Sequence, residues 1–195
     1  ALKNLSTHTF MLESVAEKEK WGRYTFLGFD PKTQISAAGS QLEIGGLKMT
    51  SPDPSEQIRQ ILSTHRSPKF DYLPPFTGGL VGYFSYDFLA YSEKTLPTDT
   101  PDSENFKDVD LMLFDKVIAF DNFRQKLILI ANMSLSEPEE GYNKAKMELT
   151  QLAEILRSGD RKHEPAGHLT GEVTPLFGKE QFCQMVEKAK SHIHE

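Results

Sequence analysis

Two apolar segments joined by a short polar turn constrain the fold of this chain most strongly. The segments read DLMLFDKVIAFD (residues 110–121) and KLILIANMS (residues 126–134), and Asn122-Phe123-Arg124-Gln125 lies between them. Ile, Val, Leu and Phe are enriched in strands, and two such segments around a short polar turn are typical of a β-hairpin. The sequence therefore predicts two antiparallel strands between Val109 and Met133.

Further strand patterns fill the N-terminal part of the chain. Strands are expected at Thr9–Ser14, Arg23–Phe29, Gln34–Ala38, Gln41–Ile44 and Leu47–Met49. Gly45-Gly46 separates the last two segments, and a Gly-Gly pair in this position favours a tight hairpin turn. Phe76–Tyr86 reads FTGGLVGYFSY. Because apolar and aromatic residues occupy both of its faces, we expect a buried strand with Tyr83 and Tyr86 in the core.

Three helices are expected beside these strands. Asp53-Pro54-Ser55-Glu56 is typical of a helix start with Asp53 as the N-cap, and this helix is expected to end at about Arg66. A second helix is expected from Ser136 to a glycine cap at Gly159, and a third begins near Gly178. The apolar face of the second helix consists of Tyr142, Ala145, Leu149, Leu152 and Leu156, and that of the third helix consists of Phe182, Val186, Ala189 and Ile193. Since no repeated βαβ alternation occurs, the predicted class is α+β, with mostly antiparallel β-sheet and a few outer helices.

Charge and composition argue against several classes of function. The chain has 195 residues, a net charge of −6 and a pI of about 5.6, which argues against nucleic acid or an anionic membrane as the main partner. No apolar run reaches the ~18 residues of a membrane span, and no signal peptide is expected at the polar N-terminus. The single cysteine, Cys183, excludes an internal disulfide and is compatible with the cytoplasm. The histidines lack metal-ligand spacing, so no metal site is expected.

Polar residues at the first strand boundary raise the question of a ligand site. Glu13 and Ser14 end the first expected strand, and Arg23 begins the second. By spacing alone, the Glu-Ser pair is typical of a turn and Arg23 of a solvated charge on an edge strand. The glycine run at residues 78–82 lacks the helix of a phosphate-binding loop, so we expect a packing role beside the first strand. The aspartates at positions 87, 108, 110 and 115 form no defensible catalytic pair, and no catalytic residue is assigned.

Three ordered motifs resemble anthranilate synthase component I. Met11-Leu12-Glu13-Ser14, followed by Gly22-Arg23-Tyr24-Thr25-Phe26-Leu27-Gly28 and Pro31, is similar to the LLES, GRYSFIG and P opening of that family. The run from Phe76 to Asp87 is similar to its F-GG-VGY--YD strand, and Phe182 to Ile193 to the F---V-KAK--I helix that opens its chorismate-binding domain. Met11 and Thr25 replace the usual leucine and serine, which changes the chemistry little.

The resemblance implies that this chain is the N-terminal part of a longer cytoplasmic lyase and is inactive alone. Residues 1–160 are then a regulatory domain, residues 161–177 a linker, and residues 178–195 the first helix of the catalytic domain. That missing domain would carry the chorismate pocket and the carboxylates for Mg²⁺. The implied partners are this C-terminal catalytic domain and a glutamine amidotransferase subunit (component II), which supplies ammonia.

The resemblance also answers the question of the polar strand boundary, because in this family the end of the LLES strand binds the feedback inhibitor L-tryptophan. The residue chemistry is consistent with that role. An ionised Glu13 accepts from the ligand ammonium group, Ser14 donates or accepts, and Arg23 offers planar donors to the carboxylate. Leu12 and Tyr24 are the candidates for an apolar slot that takes the indole. Strand alternation places Glu13 and Ser14 on opposite faces, so one of them acts through its backbone or at the strand end.

Two other interpretations stay open at this point. Aminodeoxychorismate synthase component I, the sister enzyme, shares this domain, although its opening motif is usually less well kept. A stand-alone amino-acid-binding module is the second alternative. The last helix pattern has no glycine or proline stop, which argues against such a module.

Overall fold

The computed structural model describes residues 2–14, 22–93, 95, 104–159 and 165–194. The chain divides into two compact units, Ala1–Lys162 and His163–Glu195. The assignment of these parts to a regulatory domain, a linker and a catalytic domain stays a prediction. Trp21, expected to cover the connection between the first two strands, lies outside the described residues.

Short strands dominate the first unit. The strands are β1 Thr9–Leu12, β2 Tyr24–Phe29, β3 Thr33–Ala38, β4 Gln41–Ile44, β5 Leu47–Thr50, β6 Gly79–Phe84, β7 Val109–Phe114, β8 Lys116–Asp121 and β9 Lys126–Ala131. The helices of this unit are α1 Leu2–Leu5, α2 Ser55–Thr64 and α3 Pro138–Ser158, together with a 3₁₀ helix at Tyr86–Tyr91. The second unit contains α4 Lys179–His194.

The strands form two antiparallel sheets. Sheet A has the order β1-β2-β8-β9, and sheet B has the order β5-β4-β3-β7-β6. Every pair within each sheet is antiparallel. The α+β prediction with mostly antiparallel sheet is therefore confirmed.

The predicted hairpin is present as β8 and β9, with Asp121 opposite Lys126 at its turn. The preceding apolar segment, however, is two strands rather than one. It leaves sheet B after Phe114 and enters sheet A at Lys116, with Asp115 between the two strands. Side chains on both sides of Asp115 are buried. The apolar pattern of the sequence therefore continues across the point where the chain passes from one sheet to the other.

Each sheet buries its own apolar cluster against a helix. On sheet B the cluster consists of Ile35, Ala37, Leu42, Val109 and Leu111, with Ile58 from α2. On sheet A it consists of Phe29 and Ile118, with Leu152 from α3. Burial of these side chains is the main favourable contribution to folding, at roughly 25 cal/mol per Å² of apolar surface.

The glycine-rich strand differs from its prediction. Strand β6 lies at one end of sheet B, and Tyr83, Phe84 and Tyr86 are 41%, 50% and 89% exposed. The expectation of a buried strand with both tyrosines in the core was wrong, because the last three residues of β6 are exposed and Tyr86 follows that strand in the 3₁₀ helix. The neighbour of β6 is β7, whereas β1 belongs to the other sheet. Close backbone approach is present, since a Cβ on Gly82 would collide with the carbonyl oxygen of Asp110.

The three predicted helices are present as α2, α3 and α4, and their ends differ slightly from the expected positions. The N-cap of α2 is Pro54, one residue later than expected, and Asp53 Oδ1 accepts a 2.8 Å bond from the Ser55 N–H. Hydrogen bonds from the Ser55 side chain and then from its N–H lower the pKa of Asp53. Gly159 caps α3 with a left-handed φ of 67°, as expected. Tyr142, expected in the apolar stripe of α3, is 60% exposed, so the buried part of this stripe does not include it. No helix in the described ranges is both long and apolar enough to cross a bilayer.

Candidate functional site

The five predicted ligand-binding residues lie at one end of sheet A. Strand β1 ends at Leu12, which is paired with Phe26 of β2, and Glu13 and Ser14 follow directly. Arg23 immediately precedes β2, and Tyr24 is its first residue. The antiparallel pairing of β1 with β2 therefore places the end of one strand beside the start of the other. Leu12 is 48% exposed, Glu13 and Ser14 are exposed, and Arg23 and Tyr24 are half-buried.

Arg23 forms an ion pair that the sequence did not reveal. Its Nη2 donates to Asp121 Oδ2 at 2.8 Å, and its Nε lies 3.2 Å and 3.3 Å from the two carboxylate oxygens. Asp121 is 2% exposed and also accepts from the backbone N–H groups of Phe123 and Arg124. The bond from Arg23 is the largest cause that lowers the pKa of Asp121 to about 2, against the opposing effect of burial. A solvated Arg23 is therefore excluded.

Among the described residues, the ion pair with Asp121 engages only part of the Arg23 guanidinium. A guanidinium carries five N–H donors, and the bonds to Asp121 use Nε and Nη2. Nη1 is not among the donors to this carboxylate. Arg23 is therefore able to hold Asp121 and a second carboxylate at the same time.

Aromatic rings continue from Tyr24 across sheet A. The Arg23 Cζ atom lies 4.9 Å from the centroid of the Tyr24 ring, and the Tyr24 and Phe26 centroids are 5.8 Å apart. Phe26 contacts Phe76 edge-on at 5.6 Å, and Phe10 makes a similar contact with Phe76 at 6.2 Å. These rings form an apolar surface beside Leu12, which is the type of surface that an indole requires.

A cavity of about 880 Å³ borders the start of β2. Arg23 and Tyr24 line it, together with Gly78 before β6, Gly79 at the start of β6, and Asn132 after β9. Asn132 Nδ2 donates to the carbonyl oxygens of Thr77 and Asp115, and this fixes the approach to β6. Leu12, Glu13 and Ser14 do not line this cavity. The structure thus connects two of the predicted residues to a cavity and places the other three at the adjacent strand end.

Two of the four aspartates considered in the sequence, Asp108 and Asp110, have structural contacts. Asp108 Oδ2 accepts from the Gly39 N–H at 2.8 Å and lies 2.7 Å from the Tyr91 hydroxyl. Asp110 pairs with Lys107 at 3.1 Å. Within the described ranges, no group of three or more histidine, cysteine, aspartate or glutamate side chains could hold a metal ion.

Sequence reasoning missed Asp121, Asn122 and Phe76 as neighbours of the candidate site. Strand pairing brings Asp121 opposite Tyr24, although the two residues are far apart in the chain. A charged residue at the end of a run of Ile, Val and Phe was the available signal for Asp121, because a buried carboxylate requires a partner.

Comparisons with known proteins agree with this fold. The family model described as "chorismate binding enzyme" matches residues 8–195. Anthranilate synthase component 1 of Acinetobacter calcoaceticus is 35% identical over 96% of this chain and 39% of its own length. The protein of the same name from Pseudomonas aeruginosa is 36% identical over 77% of this chain and 32% of its own length.

A solved structure shows the same fold. The crystal structure of anthranilate synthase component I from Streptococcus pneumoniae aligns with a TM-score of 0.61 at 22% identity. The alignment covers 97% of this chain and 41% of that one. The chain therefore spans about two-fifths of the length of such relatives.

Proposed function

We propose, because this chain belongs to the family of chorismate-binding enzymes, that it is the N-terminal part of an anthranilate synthase component I. The observation that carries the proposal is the match over 96% of the chain, at 35% identity, to a relative of that name. The motif resemblance around Glu13, Arg23 and Gly82 supports the same choice within the family.

The whole enzyme would convert chorismate and ammonia into anthranilate and pyruvate. A glutamine amidotransferase subunit, component II, would deliver the ammonia. We assign the chemical step and its Mg²⁺ to the part of the enzyme beyond this chain, since the chain covers 39% of the length of the Acinetobacter calcoaceticus relative. This chain would contribute regulation.

The regulatory ligand that we propose is L-tryptophan, bound where β1 ends and β2 begins. Glu13 would accept from the ammonium group, Ser14 would bond to the ligand, and Arg23 would hold the carboxylate through Nη1. Leu12 and the Tyr24 ring would contact the indole. The support for this arrangement is the exposure of Glu13 at the end of a strand, next to a half-buried cation and a series of aromatic rings. Charge-assisted hydrogen bonds to both ends of a zwitterion would give selectivity for an amino acid.

A substitution of Glu13 tests the tryptophan site in the full-length enzyme. Glu13→Gln removes the charge that would face the ligand ammonium group. We expect the tryptophan concentration for half-inhibition to rise by about tenfold or more, as a lost charged hydrogen bond produces. Anthranilate fluorescence, scaled to the uninhibited rate of each variant, measures this change.

Glu140→Gln is the matched control, because Glu140 is an exposed carboxylate in the first turn of α3. The control should be inhibited like the parent enzyme. A Glu13→Gln enzyme with the inhibition curve of the parent would remove Glu13 from the site.

A further inference from the structure

The turn between β8 and β9 contacts the start of β2 through several polar groups. Besides the Arg23–Asp121 pair, the Asn122 N–H donates to the Arg23 carbonyl oxygen at 2.7 Å. Asn122 Nδ2 donates to Thr25 Oγ1 at 3.1 Å and to the Gly22 carbonyl oxygen at 3.3 Å. The backbone on both sides of Tyr24 and the side chain of Arg23 are therefore held by two consecutive residues.

Asp121 is itself fixed in position. Its carboxylate accepts from the N–H groups of Phe123 and Arg124 at 3.1 Å and 3.0 Å, and its side chain is 2% exposed. A carboxylate held by its own turn offers Arg23 one fixed geometry. Because a guanidinium is planar, bonds from Nε and Nη2 also fix the direction in which Nη1 points.

We propose that Asp121 and Asn122 are positioning residues of the effector site, which hold Arg23 and Tyr24 ready for the carboxylate end of an amino acid. The inference rests on the proposed function, since it names how the tryptophan site is held in shape. Neither residue contacts the ligand in this proposal. Asp121 acts by orienting the Arg23 guanidinium, and Asn122 acts by fixing the backbone from Gly22 to Thr25.

The physical gain is preorganisation. A free arginine side chain occupies many rotamers and loses that freedom when it binds a ligand, which weakens affinity. An arginine already fixed on a buried carboxylate loses little on binding. The Tyr24 ring, 4.9 Å from the Arg23 Cζ atom, would benefit from the same restraint because it contacts the guanidinium.

The test uses tryptophan inhibition of the full-length enzyme bearing Asp121→Asn. The amide keeps the shape of the side chain and an oxygen for the turn, but it loses the charge that holds Arg23. We expect the half-inhibitory tryptophan concentration to rise by about tenfold, relative to the uninhibited rate of the same variant. Asp110→Asn, which alters the exposed Lys107–Asp110 pair, is the matched control and should leave that concentration unchanged.

A double-variant cycle separates positioning from a general loss of structure. If Asp121 acts through Arg23, adding Asp121→Asn to an Arg23→Gln enzyme should change the half-inhibitory concentration by less than about twofold. Effects that multiply in the double variant would overturn the positioning role.

If Asp121→Asn yields no folded enzyme, Asn122→Ala takes its place, because it removes side-chain bonds only. A several-fold weaker inhibition is expected for Asn122→Ala, and an unchanged curve would overturn the inference.

The outcomes also separate this inference from the proposed function. A parent enzyme that makes anthranilate but ignores tryptophan would contradict the tryptophan site, and the positioning role would be overturned with it. A parent enzyme that is inhibited, with Asp121→Asn and Asn122→Ala variants inhibited equally well, would overturn the positioning role alone.

Discussion

At the scale of single residues, Gly28 shows how a motif position is set by packing. Gly28 of β2 lies directly opposite Phe10 of β1, and a Cβ built on Gly28 would collide with the Phe10 ring. The ring continues across this position to contact Phe114, with centroids 4.7 Å apart. A glycine here lets an aromatic side chain cross the strand next to it. The fixed register of β1 on β2 in turn places Glu13 and Ser14 beside Tyr24.

Gly28→Ala should therefore lower the free energy of unfolding by about 1–3 kcal/mol, the usual range for overpacking a core. Urea unfolding of the chain measures the change. Gly167→Ala is the control, because no heavy atom lies within 4 Å of a Cβ at that position, and its effect should stay within about 0.5 kcal/mol. Phe10→Leu should reduce the cost of Gly28→Ala, since the two substitutions affect one contact. Equal costs in both backgrounds would contradict the packing explanation.

Single-residue chemistry was partly readable from the sequence. By spacing alone, Glu13 and Ser14 are typical of a turn, and only the family resemblance made them and Arg23 candidates for a ligand site, which stays a prediction. The sequence did not reveal that Arg23 is bonded to a buried carboxylate, because the partner is distant in the chain and becomes a neighbour only through the pairing of β2 with β8.

At the scale of secondary-structure elements, the Arg23–Asp121 pair ties the start of β2 to the β8–β9 turn. The folded-state pKa of Asp121 is lowered to about 2, below the ordinary aspartate value of 3.8. Its contribution to stability is therefore fully present above about pH 4 and is lost as the pH falls through about 2. Because the Arg23 side chain is 28% exposed, water reduces the contribution to about 1–2 kcal/mol.

The difference in unfolding free energy between the parent chain and the Asp121→Asn variant should therefore depend on pH. The parent should exceed the variant in unfolding free energy by about 1–2 kcal/mol at pH 6, and the gap should narrow between pH 4 and pH 2. Denaturant titrations at several pH values measure it, with Asp110→Asn as the comparison for an exposed pair. A gap that stays constant down to pH 2 would show that the charge of Asp121 does not stabilise the fold.

Elements with local signals were the ones predicted correctly. The β8–β9 hairpin, the glycine turn between β4 and β5 and the cap of α3 all depend on neighbouring residues. The switch between sheets at Asp115 and the end position of β6 depend on which strands pair over long distances. Apolar periodicity carries no information about that pairing, so it does not distinguish a strand at the end of sheet B from one in its centre.

At the scale of the whole molecule, three ordered motifs identified the family, although the chain is only 35% identical to the Acinetobacter calcoaceticus relative. The likeness to the solved structure holds at 22% identity, which is enough for the fold alone. The matched relatives are more than twice as long as this chain, so their activity comes to it only as a proposal. Under the proposed function, regulation would lie in this chain and the chemical step in the remainder of the enzyme.

The most direct test of that account is an activity measurement on the full-length reading frame. The enzyme would receive chorismate, ammonia and Mg²⁺, and anthranilate fluorescence would be followed with and without L-tryptophan. The account predicts that anthranilate forms and that tryptophan suppresses its formation. Anthranilate formation that tryptophan leaves unchanged would contradict the regulatory site, and accumulation of aminodeoxychorismate without anthranilate would contradict the proposed enzyme itself.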